Sequence, residues 1–193
     1  MGLIEKGKII FEAPGKEDSF EVPMEEIIKK GVGHKYDLTL THTHVYYDAN
    51  DKQESGEPTC FSKEDVNNFN LKNLDGKYFI KTLVADCHNG SRMILTRTDD
   101  TFNQKDLEKV FNNLHLNWSF YLYQSRININ KTMIQWSDEY YNKYHIKPSD
   151  IEFKETLNQK QKEYAFDNFK DYLQENINEF KKIGFDLSVE WVE

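Results

Sequence analysis

Apolar and polar positions alternate in short runs over the first hundred residues and recur at threes and fours over the rest. The runs Lys8-Ile9-Ile10-Phe11 and Ser19-Phe20-Glu21-Val22 flank the turn signal Pro14-Gly15-Lys16, which predicts an N-terminal β-hairpin. Pro23 then opens Met24-Glu25-Glu26-Ile27-Ile28-Lys29-Lys30, with acid early, base late and Gly31 behind it, the pattern of a short helix. Over residues 37–45, Leu38, Leu40, His42 and His44 alternate with Asp37, Thr39, Thr41 and Thr43. A period of 2 puts both histidines on one face of a strand.

After a polar stretch containing Asp51, Glu54, Ser55, Gly56 and Pro58, residues 62–70 read as the start of a helix. Residues 78–87 and 92–98 are β-rich and are joined by His88-Asn89-Gly90-Ser91, where Asn-Gly signals a hairpin. The second half changes period. Leu107, Val110, Phe111, Leu114, Trp118 and Tyr121 mark one amphipathic helix. Tyr164, Ala165, Phe169, Leu173, Ile177, Phe180 and Ile183 mark another, with a break near Lys147-Pro148-Ser149. Gly184 sits where a helix would be capped, and Phe185, Leu187, Val189 and Trp191 then alternate as a terminal strand. The predicted fold class is α/β of the α+β kind. Residues 1–103 read as a mixed α/β unit, and a helical extension over 104–193 packs on it in one compact unit.

Composition narrows the class of protein. With 38% hydrophobic and 14% aromatic residues, a chain of 193 can build a core. The net charge of −8, from 25 basic and 33 acidic residues, repels phosphate backbones and argues against a nucleic-acid partner. Cys60 and Cys87 belong to no CxxC pair, so the expectation is a reducing compartment rather than a disulfide framework. The stretch Met1-Gly2-Leu3-Ile4-Glu5-Lys6 has no signal-peptide core, and no apolar run approaches the roughly 20 residues of a membrane span. A cytoplasmic protein without a membrane partner is expected; the oligomeric state is left open.

The candidate chemistry lies between His42 and Asp65. Zinc takes nitrogen, sulfur or carboxylate ligands, and a hydrolytic site uses three protein ligands with a fourth position kept open. His42 and His44 supply two, and Asp65, in the first turn of the following helix, is the candidate third. Ser62, three residues earlier, can aim a hydroxyl at the oxyanion formed when water attacks an amide carbonyl.

The string His-x-His, loop, Ser-x-x-Asp resembles the JAB/JAMM (MPN) metalloprotease family. Ser55-Gly56-Glu57-Pro58-Thr59-Cys60-Phe61-Ser62-Lys63-Glu64-Asp65-Val66 is most similar to its RadC-like and phage or polymorphic-toxin branches. Val45 stands where those branches carry proline, and the loop here is longer. The resemblance implies a JAB/cytidine-deaminase-like mixed sheet, one Zn2+ held by His42, His44 and Asp65, and hydrolysis of peptide or isopeptide bonds in a protein or peptide substrate through a metal-bound water. It also implies a glutamate as general base upstream of the histidines. Glu5, just before the first strand-like run, fits best by order; Glu12 is the rival, Glu21 is a further candidate, and the base can also be missing from this chain. In that last case the protein is a catalytically inactive JAB-fold adaptor or phage-encoded inhibitor that binds a host protein.

Plainer readings stand beside these. Ser-x-x-Asp is also a helix capping box, and His-x-His also a polar sheet face. It is their order, the Gly56-Glu57-Pro58 loop and Phe61 before Ser62 that join them into one site. Cys60 reads as a small buried residue, and Cys87 and His88 as hairpin residues whose side chains point to opposite faces. His115 and Trp118 fall on the apolar side of a helix, and His34 and His145 beside loops. The aromatic series Trp118, Phe120, Tyr121, Tyr123, Trp136, Tyr140, Tyr141 and Tyr144 reads as core or as a binding surface. No phosphate-binding loop, H-E-x-x-H or G-x-S-x-G occurs.

Overall fold

The computed structural model describes residues 1–14, 22–44, 61, 63–87, 91–145 and 151–191. Its elements, in chain order, are β1 (Gly2–Glu5), β2 (Lys8–Glu12), α1 (Met24–Lys29), β3 (Leu38–His44), α2 (Lys63–Asn67), a 3-10 turn (Asn68–Asn70), β4 (Ile80–Cys87), β5 (Ser91–Arg97), α3 (Gln104–Tyr144), α4 (Ile151–Lys182) and β6 (Phe185–Trp191). The strands form one six-stranded mixed sheet in the order β2-β1-β3-β4-β5-β6. Only β3 and β4 run parallel; the other neighbours are antiparallel. The fold is thus the α+β arrangement that the periodicities predict.

The registers place one residue from every strand in a single row: Phe11, Leu3, Leu40, Leu83, Leu95 and Leu187. All six are buried. Period-2 alternation sends their neighbours to the other face, where Thr39, Thr41, Thr82, Val84, Ile94 and Thr96 remain partly exposed. The buried row belongs to the same core cluster as Ile27 of α1, Val66 of α2, Phe69, Leu107, Phe111 and Leu114 of α3, and Leu173 and Phe180 of α4. One core therefore runs through both halves of the chain. Tyr172, buried between the long helices, satisfies its hydroxyl by donating to the Leu114 carbonyl at 2.6 Å.

The N-terminal hairpin differs from the sequence expectation. Lys8–Glu12 pairs with Gly2–Glu5, and the turn between them is Lys6-Gly7. Both turn residues have positive φ (48° and 77°), the conformation of a two-residue hairpin matched to strand twist. Lys at the first of these positions gives no turn signal, which is why the pattern misses it. Residues 15–21 lie outside those described.

At the other end of the chain, α4 turns into β6 through Gly184, whose φ is +81°. A Cβ built there would stand 3.0 Å from the Asp99 Cβ. Gly184→Ala is therefore expected to destabilise the fold by about 1–2 kcal/mol in equilibrium denaturation, from positive-φ strain and the close approach together. Gly7→Ala, with the same sign of φ and open space around it, is expected to cost less.

Candidate functional site

The core row beside the leucines contains His42, Ala85, Met93 and Val189. Strand β3 thus buries Leu38, Leu40 and His42 in succession on one face, with an imidazole where a third apolar side chain would be expected. A polar ring taken from water needs a partner. It finds one in Asp65: His42 Nε2 and Asp65 Oδ1 are 3.0 Å apart, with both side chains 5% exposed.

Asp65 reaches that position because of its neighbours. Phe61, Val66 and Phe69 are buried and anchor the short helix α2 against the core. Asp65, adjacent to Val66, is carried inward with it. The Asn68 side chain donates to the carbonyls of Glu64 and Asp65 and closes the helix end. Phe61 packs beside the His42 ring, centroids 6.4 Å apart. The two halves of the sequence motif thus meet in space, one from a strand and one from a helix.

His44 ends β3 two residues beyond His42. The parallel register sets Cys87 beside His44, as it sets Ala85 beside His42. Sequence reasoning treats Cys87 only as a hairpin residue; the adjacency comes from parallel pairing, which spacing along the chain does not encode. Thiolate is a zinc ligand type. Both residues lie at the carboxyl ends of the two parallel strands, where open α/β sheets place their ligands. Among the described residues no group of three or more His, Cys, Asp or Glu forms a metal cluster. Ser62, Glu21, Cys60, His88 and the expanded loop 46–59 lie outside the described residues.

The two candidate bases fall in different places. Ile4 pairs with Thr39, three residues before His42, so Glu5 lies at the opposite end of β3, roughly 13 Å away at ~3.3 Å per residue. Its carboxylate accepts from the Lys35 ammonium through both oxygens, at 2.9 Å each. The structure does not bring Glu5 to the His42–Asp65 pair. Glu12, in one row with Gly2 and Thr41 on the sheet face opposite the His42 side chain, lines a hollow of about 520 Å³ with Met1, Thr41, His42, Thr43 and Asp86. Gly2 leaves that space open, since a Cβ there would stand 3.2 Å from the Thr41 methyl. On the hollow's wall Asp86 accepts from Arg92 Nε, and this carboxylate raises the Arg92 pKa above its ordinary value.

The remaining histidines described lie away from the site. His34 Nδ1 contacts the Asp75 carboxylate at an exposed position, and His145 caps α3 with φ 55°. No protein-family model, curated protein or solved structure matches the chain.

The pair has an energetic signature of its own. In the presence of a chelator, His42→Leu and Asp65→Leu are each expected to destabilise the fold by about 2–3 kcal/mol, because each strands a buried partner. The double variant should cost less than the two together, with a coupling of about 1–3 kcal/mol in a urea-denaturation cycle. Strict additivity would show that the two side chains do not interact.

Proposed function

We propose that the chain is a zinc-dependent, JAB-like peptidase or isopeptidase that hydrolyses an amide bond in a protein or peptide substrate. The observation that carries the proposal is the buried approach of His42 Nε2 to Asp65 Oδ1 across the β3–β4 connection. Two ligands of one tetrahedral zinc, each ~2.0–2.1 Å from the ion, lie ~3.3 Å apart, close to this 3.0 Å separation. The donors are thus of the right chemistry and spacing, with His44 as the third ligand. When bound, zinc would polarise a substrate carbonyl and make water acidic near neutral pH.

The chain's own residues supply the rest of the reading. Phe61 and Ala85 exclude water from the inner side of His42 and fix its ring. Ser62, next to Phe61, is the proposed oxyanion donor. Glu12, the other upstream candidate, is the proposed proton carrier in place of Glu5, which Lys35 occupies, although its row with Gly2 and Thr41 starts on the sheet face opposite the His42 side chain. A cytoplasmic location fits two cysteines that belong to no CxxC pair, and among the described residues no helix is long and apolar enough to cross a membrane.

The Glu5–Lys35 pairing favours a second reading, in which the same zinc site is structural and the protein is a catalytically inactive JAB-fold adaptor or inhibitor. Metal content tests what the two readings share. About one zinc per chain is expected, lost in both His42→Ala and Asp65→Ala. A stably folded chain that purifies and refolds without metal overturns both.

Turnover then separates them. On a peptide or isopeptide substrate, Glu12→Gln is expected to lower turnover by roughly a hundredfold or more while retaining zinc. Glu5→Gln should leave turnover unchanged and cost under about 1 kcal/mol of stability, since its ion pair is partly exposed. Loss of turnover in Glu5→Gln with zinc retained would reverse the assignment.

A further inference from the structure

Helix α3 is 41 residues long, and Leu114 is its farthest described side chain in the core cluster. The thirty residues beyond Leu114 span roughly 45 Å at ~1.5 Å per residue. On this distal stretch Trp136 meets Tyr164 of α4 edge to face, with centroids 6.0 Å apart. At ~100° per residue, Ile134 and Tyr141 stand roughly 140–160° around the helix from Trp136, facing away from α4. Both are open to solvent: Ile134 is 65% exposed and Tyr141 47%, with Tyr144 next to them at 49%.

These positions are not scattered. Ile134 and Tyr141 are seven apart, and in the sequence Phe120 and Ile127 continue the same interval toward the core. Residues seven apart lie two turns from each other along nearly one line of a helix. A surface helix satisfied by α4 alone needs one apolar stripe; among its described side chains α3 adds Ile134 and Tyr141 on a second side.

Charge on the flank of the second stripe says what covers it. Lys131 and Asp138 are exposed, opposite in sign and also seven apart, on the same side of the Ile134–Tyr141 line. When two copies of α3 cross antiparallel near Ile134, Lys131 of each copy faces Asp138 of the other, on both sides of the two-fold axis. A parallel crossing leaves these residues on opposite sides of the seam. The surface is thus complementary to itself in one orientation, as an isologous interface requires.

We propose that the outer face of α3 is a self-association surface, through which two copies of this chain pair antiparallel with Ile134 and Tyr141 in the seam and Lys131–Asp138 bridges beside it. The inference is independent of the His42 site.

Sedimentation of the full chain tests it. The expected particle has twice the 23.0 kDa chain mass. Ile134→Asp should give a folded monomer whose unfolding curve matches the parent's at concentrations low enough to dissociate the parent, because the side chain is exposed within one copy and a buried charge at the seam weakens association roughly a hundredfold or more. Lys131→Asp and Asp138→Lys should each weaken self-association at least roughly tenfold, and mixing the two should restore a one-to-one heterodimer, since each bridge is then re-formed between unlike copies. A monomeric parent chain, a dimer unmoved by Ile134→Asp, or single variants that fail to complement each other would overturn the proposal.

Discussion

Two adjacent parallel strands cannot be joined by a tight turn; the chain must leave the sheet, cross one face and return. Strands β3 and β4 are such a pair, and the placement of the site follows from it. The crossing segment carries Phe61, Val66 and Phe69, three buried side chains that hold it against the core face. Asp65 sits among them, and the strand beneath ends its buried series with His42. Were β3 and β4 joined as a hairpin, the same residues would be spread along an edge with nothing to press the carboxylate onto the imidazole.

The two ends of the sheet are used differently. At the amino end of β3, polar groups are consumed by one another. Glu5 holds Lys35, and buried Arg97 reaches Asp37 and Asp100 and lies 5.0 Å from the Tyr78 ring centroid. Asn73 spends both ends of its amide on backbone groups of Lys35, His34, Asp75 and Lys77. At the carboxyl end His42, His44 and Cys87 come together in register, with a hollow nearby. A site that must hold side chains to within a fraction of an ångström benefits from a stiff base at its back.

Much of the architecture is legible in the sequence because its signals are local. Alternation at Leu38–His44, the threes and fours of Leu107–Leu114 and Leu173–Phe180, and Gly184 before Phe185 each act within a few residues, and the corresponding elements form. The motif spacing likewise anticipates the meeting of His42 and Asp65. What sequence cannot give is pairing between distant segments. Glu5 matches a general base by order along the chain, yet antiparallel pairing of β1 with β3 runs it away from His42, and Lys35 captures it. Glu12, one hairpin later, returns to the level of His42 because β2 reverses direction, but in the row of Gly2 and Thr41 on the other face of the sheet. Cys87 becomes a neighbour of His44 only through parallel register. The second apolar stripe of α3 is written in the sequence too, but only the position of α4 tells it from the stripe that packs internally.

The sheet's outermost strand, β6, hydrogen-bonds to β5 although the whole of α3 and α4 lies between them in the chain. Closing so long a loop at random would be entropically slow. The two helices are built from local contacts and fold back on each other, which brings residue 185 into the neighbourhood of residue 97 and shortens the loop that β6 pairing has to close. The helical pair is in this sense a folding device as well as a surface. During synthesis the remaining five strands must wait with β5 as an unprotected edge until the second helix has left the ribosome.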